Sequence, residues 1–213
     1  MLVVVGKDTA EVDALPEAER VVVDLGTGDG RYAYRLARDN PSWLVVGIDP
    51  SADGLAEMSR KASRKPAKGG LANVLFVVGR GEALPHELDG RADEVQSILP
   101  WGRLMRDLML AGPETLDGIV RIAKPGAAVR FVLNTEIFED PVPLDLVDLP
   151  ETTPDHAEQV LVPAYRERGI ELTEWRYLSP PEVGEIHSTW SRRLAHGRAP
   201  RFLLLTGRSD GQR

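Results

Sequence analysis

Two carboxylates and three glycines carry the most chemical meaning in this chain. Asp24 closes the β-branched run Val21-Val22-Val23, and Gly26, Gly28 and Gly30 follow at alternate positions. Asp49 closes a second apolar run, Leu44 to Ile48, 25 residues after the first acid. A carboxylate at a strand end repels a pyrophosphate and attracts a cation. Asp24 therefore suits a cofactor with a cationic amino-acid portion, such as S-adenosylmethionine (SAM). Asp49, at the end of the neighbouring strand, suits the two hydroxyls of an adenosine ribose. The dinucleotide fingerprint G-x-G-x-x-G fails, because Arg31 stands at its third glycine. A dehydrogenase is disfavoured on both counts.

These side chains need strands that end at one edge and a helix that starts at once. The sequence predicts a hairpin over 1–13, strands at 21–24, 43–49, 73–78, 93–99 and 127–134, and helices at 29–39, 51–67, 102–111 and 113–123. Ser51 reads as the cap of the second helix, and Lys124-Pro125-Gly126 as a turn. Residues 138–155 read as loop. A helix to Arg168, a strand at 170–178, a short helical stretch within 181–195 and a last strand at 201–206 follow. Strand alternating with helix predicts a parallel sheet covered on both faces, and the last two strands predict an antiparallel edge hairpin. The whole, 1–213, fits one domain. The stretches 138–168 and 179–199 are expected to be extensions on the substrate side.

The chain has 213 residues, no cysteine and a net charge of −7. Disulfides, thiolate metal sites and a cysteine nucleophile are excluded. The four histidines lack metal-ligand spacing, so no metal is expected. No apolar run is long enough to span a membrane and no signal peptide is evident, which predicts a cytoplasmic protein. The acidity is uneven. Arg60, Lys61, Arg64, Lys65 and Lys68 follow one another with no acid between Glu57 and Glu82. On one continuous helix, 60, 64 and 68 would stack on a face with 61 and 65 beside them. Arg192, Arg193, Arg198, Arg201 and Arg208 form a second acid-free stretch. Such patches are either plain solvated surface or docking sites for a phosphate backbone. Trp101, in Leu99-Pro100-Trp101-Gly102, follows the fourth core strand, and Trp190 lies in the late link between the last strands. Either indole could fill the core, or the two could stack on a flipped base at the carboxyl edge. Trp43 and Trp175 lie inside strand patterns and are expected in the core.

The segment D-L-G-T-G-D-G at 24–30 looks like the SAM motif of class I methyltransferases. With G-I-D-P at 47–50, the basic run, G-E-A-L-P at 81–85, L-P-W-G at 99–102 and S-T-W-S-R-R-L at 188–194, the chain resembles the KamB/NpmA-type aminoglycoside-resistance 16S rRNA methyltransferases, which act on N1 of adenine 1408. The resemblance implies a Rossmann-like α/β fold. Its seven-stranded, mostly parallel sheet has an antiparallel last strand and is joined by a short N-terminal hairpin. It implies SAM contacts at Asp24, Gly26, Thr27, Gly28, Asp49, Pro50, Glu82, Ala83 and Leu99, and base stacking by Trp101 and Trp190. It implies RNA docking by Arg60, Lys61, Arg64, Lys65, Arg192, Arg193, Arg198 and Arg201, on helix 44 of the 30S subunit, by a monomer. Arg103 departs from the pattern, because relatives often carry a small hydroxyl residue there. A small-molecule methyltransferase and a non-catalytic SAM- or RNA-binding protein remain the alternatives, since the fold alone does not decide.

Overall fold

Valine sets the centre of the molecule. The strand Arg20–Leu25 reads RVVVDL and is buried from Val21 onward, as a strand covered on both faces requires. The computed structural model describes residues 1–135, 148–186 and 201–211. Among these, the strands are β1 Leu2–Val5, β2 Asp8–Glu11, β3 Arg20–Leu25, β4 Trp43–Asp49, β5 Val74–Val78, β6 Ala92–Ile98, β7 Ala123–Asn134, β8 Ile170–Tyr177 and β9 Phe202–Ser209. They form one sheet in the order β2-β1-β5-β4-β3-β6-β7-β9-β8. The pairs β5-β4, β4-β3, β3-β6 and β6-β7 are parallel. β9 runs antiparallel to both neighbours, β7 and β8, so the last strand is inserted between them and β8 takes the edge. The N-terminal hairpin does not stand apart. β1 pairs antiparallel with β5 through Val3 and Val77 and widens the sheet to nine strands.

Helices cover both faces. The α1 helix, Arg31–Asp39, and α2, Ala52–Ala62, bury Ala33, Tyr34, Ala37, Leu55 and Met58 against Val45, Val74 and Phe76. On the other face, α3 (Gly102–Leu110) and α4 (Pro113–Ile122) insert Met105, Leu108, Met109, Leu116, Ile119 and Ile122. A helical segment joins them there. It starts as α5, Pro154–His156, passes through a π-helical turn at Ala157–Leu161 and ends as α6, Val162–Glu167. Ala157, Leu161 and Tyr165 are fully buried, and the Tyr165 hydroxyl donates to the Leu108 carbonyl at 2.7 Å. Of the stretch 138–168, expected as a substrate-side extension, the part 154–167 packs on the main core, and 138–147 lies outside the described residues. A third, smaller cluster gathers Ile98, Leu99, Val132, Leu178, Ile186, Phe202 and Leu204, with Val183 of α7 (Pro180–Glu185) against it. It lies beneath the carboxyl edge of β6 and supports the loop that follows.

Three expectations shift in position. The second helix ends at Ala62, not 67, and a short 3-10 turn follows at Pro66–Lys68. Pro66 forbids the helical region to the residue before it, and Lys65 is extended at φ −59, ψ 145. The expected turn at 124–126 lies inside β7, which starts at Ala123 and passes a pairing irregularity against β6. Trp43 and Trp175 are half-buried rather than core. The Trp43 ring carries the Arg20 guanidinium 4.9 Å above its centroid, and Trp175 packs on the outside of the main cluster.

Candidate cofactor and RNA site

The three glycines follow β3, and all have positive φ: 69° at Gly26, 62° at Gly28 and 73° at Gly30. Each meets a different constraint. A Cβ on Gly30 would meet the Phe76 ring at 2.5 Å, and one on Gly26 would meet Leu104 at 2.9 Å, with Pro100 at 3.7 Å. A Cβ on Gly28 would meet nothing within 4 Å. Gly26 and Gly30 are therefore glycine for packing as well as conformation, whereas Gly28 leaves an open approach to the backbone. The amides of Gly26 and Thr27 both donate to the Ile48 carbonyl, at 2.9 and 3.1 Å. This ties the loop to the end of β4.

The two acids stand on either side of that tie. Asp24 faces Gly47 on β4 and Gln96 on β6, in the crevice where chain connections diverge to left and right. Its carboxylate is 2% exposed and accepts a hydrogen bond from Gln96 Nε2 at 3.3 Å. Burial raises its pKa to about 7, opposed by the side chains of Thr27 and Gln96 and assisted by the charge of Asp49. A buried carboxylate with this little compensation suits a cationic ligand. Asp49 is half-buried. Its Oδ2 accepts from the Gly28 amide and its Oδ1 from the Ser51 amide, both at 2.9 Å. Burial also raises its pKa, against those two amides. Each oxygen keeps a lone pair for a ligand hydroxyl. Thr27 is half-buried under this pair, whereas Pro50 and Ala83 are exposed on the rim. Glu82, in the turn after β5, is 18% exposed. The residues present thus fit an amino-acid cation, a ribose and an adenine.

The other wall is Leu99-Pro100-Trp101-Gly102. Leu99 has φ 53°, which a leucine rarely adopts, and Gly102 has φ 57°. The Leu99 amide is held by the Val132 carbonyl at 2.8 Å. Two left-handed residues thus bracket Pro100-Trp101 and turn the indole outward, 45% exposed, at the start of α3. Pro100 lies against Gly26, so this loop and the glycine loop are in contact. Arg201 reaches the same edge. Its carbonyl accepts from the amide and hydroxyl of Thr135, at 3.2 and 2.6 Å, and its guanidinium lies 5.9 Å from the Tyr177 ring. Trp190, Arg192, Arg193 and Arg198 lie outside the described residues.

The first basic cluster does not form one helix face. Arg60 and Lys61 sit on the last turn of α2, and Arg64, Lys65 and Lys68 on the irregular turn beyond it. Arg60, Arg64, Lys65 and Lys68 are exposed. Lys61 is half-buried, with its ammonium 4.3 Å over the Tyr34 ring, so it also serves the fold. Because α2 runs back from the carboxyl edge, its last turn lies roughly 16 Å from its first. The cluster therefore lies about a helix length from the carboxyl edge, whereas Arg201 lies at that edge, beside Thr135 after β7. The sequence reading missed Gln96 and the ion pairs of Arg103. The signal for Gln96 was a polar pair, Gln96-Ser97, between Val95 and Ile98 in the fully buried half of β6.

Known proteins resemble this chain over nearly its whole length. The family model described as 16S rRNA (adenine(1408)-N(1))-methyltransferase matches residues 3–209. The enzyme of that name from Streptoalloteichus tenebrarius is 43% identical over 189 residues, which cover 88% of this chain and 86% of the relative. A crystal structure of a single-site mutant of the 16S rRNA (adenine(1408)-N(1))-methyltransferase from Catenulisporales acidiphilia, with cosubstrate SAM, superposes with a TM-score of 0.92 at 37% identity, over 100% of this chain and 98% of that one. The 16S rRNA methyltransferase KamB superposes with a TM-score of 0.89 at 38% identity, over 99% and 100% of the two chains.

Proposed function

The chain belongs to the 16S rRNA (adenine(1408)-N(1))-methyltransferase family, and from that premise we propose how its own residues divide the work. It is a SAM-dependent enzyme that methylates N1 of adenine 1408 in 16S rRNA, a modification that confers aminoglycoside resistance. The observation that carries the residue assignment is the buried Asp24 beside an open glycine loop, with Trp101 on the same rim.

SAM supplies an electrophilic methyl group on a sulfonium. In our reading, Asp24 pairs with its amino-acid cation, Asp49 accepts from its ribose hydroxyls, and Glu82 receives the exocyclic amine of its adenine. Gly26, Thr27 and Gly28 form the floor, with Pro50, Ala83 and Leu99 around it. Trp101 and Trp190 stack on the flipped target base and hold its N1 in line with the methyl. N1 of neutral adenine carries a free lone pair, and the product is a cationic base. No side chain has to take a proton. The indoles exclude water and offer a π-face to the ring as it becomes positive. A methyl group and a charge at that base obstruct the drugs that bind there.

Arg60, Lys61, Arg64 and Lys65 dock on phosphates of helix 44 in the 30S subunit, and Arg192, Arg193, Arg198 and Arg201 dock beside the target. We assign the action to a monomeric single domain in the cytoplasm. Support for the monomer comes from the sheet edge β2, whose Asp8 and Glu11 discourage pairing with a second sheet. Among the described residues, no helix is long and apolar enough to cross a membrane. Primer extension on 30S subunits incubated with protein and SAM tests the reading, because N1 methylation blocks reverse transcription. A stop at adenine 1408 that disappears with Asp24→Ala is expected. Full-length extension past that base with the wild-type protein would overturn it.

A further inference from the structure

Arg103 stands two residues after Trp101, in the first turn of α3, and three carboxylates from three elements surround its guanidinium. Its Nε lies 3.6 Å from Glu82 Oε1 and 3.5 Å from Asp107 Oδ2, and its Nη2 donates to Glu114 Oε2 at 2.9 Å. Glu82 comes from the turn after β5, Asp107 from α3 itself and Glu114 from the first turn of α4. Asp107 is engaged further, since its Oδ2 accepts from the Thr115 hydroxyl at 2.6 Å. Glu82 and Asp107 are only 18% and 14% exposed. Removing one guanidinium would leave these carboxylates in mutual repulsion with little water to screen it. The loop on the other side of Trp101 is strained at Leu99 and must be held from both ends.

We propose that Arg103 is a positioning residue that fixes Glu82 for the cofactor and, through the same contacts, fixes the first turn of α3 that carries Trp101. The proposal rests on the reading of Glu82 as a cofactor contact. Cofactor affinity and placement of the stacking indole then depend on one side chain. A small hydroxyl residue at this position could not reach three carboxylates. Direct docking of Arg103 on an RNA phosphate is disfavoured by the same geometry, because the local charge of one cation and three acids is negative.

The test is a double-mutant cycle read by calorimetry with SAM and by methylation of 30S subunits. Arg103→Ala should raise the SAM dissociation constant about fivefold, the reach of a partly exposed ion-pair cluster, and lower kcat as well. The 30S KM and its salt dependence should stay unchanged. In a Glu82→Gln background, Arg103→Ala should have no further effect on SAM affinity. Arg103→Lys should recover part of the loss, since an ammonium reaches one carboxylate. If Glu82→Gln weakens SAM binding and Arg103→Ala leaves it within twofold, the positioning role is wrong and the cofactor reading stands. If Glu82→Gln itself leaves affinity unchanged, the cofactor reading of Glu82 fails and the proposal falls with it. A rise in 30S KM with unchanged SAM affinity would instead make Arg103 an RNA ligand and overturn the proposal.

Discussion

At Asp24, stability and function oppose each other. The ordinary pKa is 3.8, and burial first of all lifts it to about 7 in the folded protein. The fold therefore keeps a proton that the unfolded chain releases between those values. Stability is undiminished below pH 3.8, is lost as pH rises towards 7, and is constant above it, for a total cost of up to ~4 kcal/mol. Asp24→Asn removes that cost and keeps the shape. It should raise the melting temperature at pH 8, with the gain shrinking as pH falls to 4, and should abolish SAM binding. A mutant less stable than wild type at pH 8 would contradict this account. Wild-type SAM affinity should also fall below pH 7, as the carboxyl must lose its proton to pair with a cation. Calorimetry at pH 5.5 and 8 checks this, and a pH-independent affinity would refute it. Trp101 presents the opposite case. It is 45% exposed, so Trp101→Ala should leave the melting temperature nearly unchanged while 30S methylation is lost. Trp101→Phe should keep part of the activity, because a smaller π-face still stacks. Unfolding of the alanine mutant would mean that the indole is structural.

Elements decide which part of a charge pattern faces what. The i, i+4, i+8 spacing of Arg60, Arg64 and Lys68 suggested one helical face, and that was the wrong geometry. The overriding signal is Pro66, whose ring excludes the helical region at Lys65 whatever the charge periodicity. The turn is also close-packed. A Cβ on Gly70 would lie 1.7 Å from the Arg64 carbonyl, which no local spacing reveals. The cluster consequently contains residues of two kinds. Arg64 and Lys65 are exposed on an irregular turn, while Lys61 covers Tyr34. Arg64→Glu with Lys65→Glu should weaken 30S binding about a hundredfold at moderate salt and leave the melting temperature within a degree or two. Lys61→Glu should weaken binding and lower the melting temperature too, because it removes a cation from an aromatic face. Filter binding beside thermal denaturation separates the two effects. Equal melting temperatures for both variants would deny the Lys61–Tyr34 contact any structural weight.

For the whole molecule, strand and helix order was legible because local signals repeat: valine runs, a serine cap at Ser51, and Gly-Pro breaks. The insertion of β9 between β7 and β8 was not, since strand order is fixed by pairings between residues far apart, such as Phe131 with Leu205. Asp24 and Asp49 were legible because an acid closing an apolar run is rare. Arg103 was not, since its three partners come together only in the fold. The chain carries a net charge of −7, yet it docks on RNA. Away from the two basic stretches, 60–68 and 192–208, the rest of the chain is net acidic and disfavours phosphate. Binding should then need both patches engaged at once, on RNA held in a fixed shape. An isolated decoding-site hairpin presents one patch with its target and leaves the other with no partner. It should bind far more weakly than the 30S subunit and be methylated poorly, even where its sequence is identical. The logarithmic salt slope should fall by several units on the hairpin, at about 0.7–0.9 per lost phosphate contact. Equal methylation rates on hairpin and 30S subunit, or equal salt slopes, would show that a local site suffices and that the remote basic turn has no part in recognition.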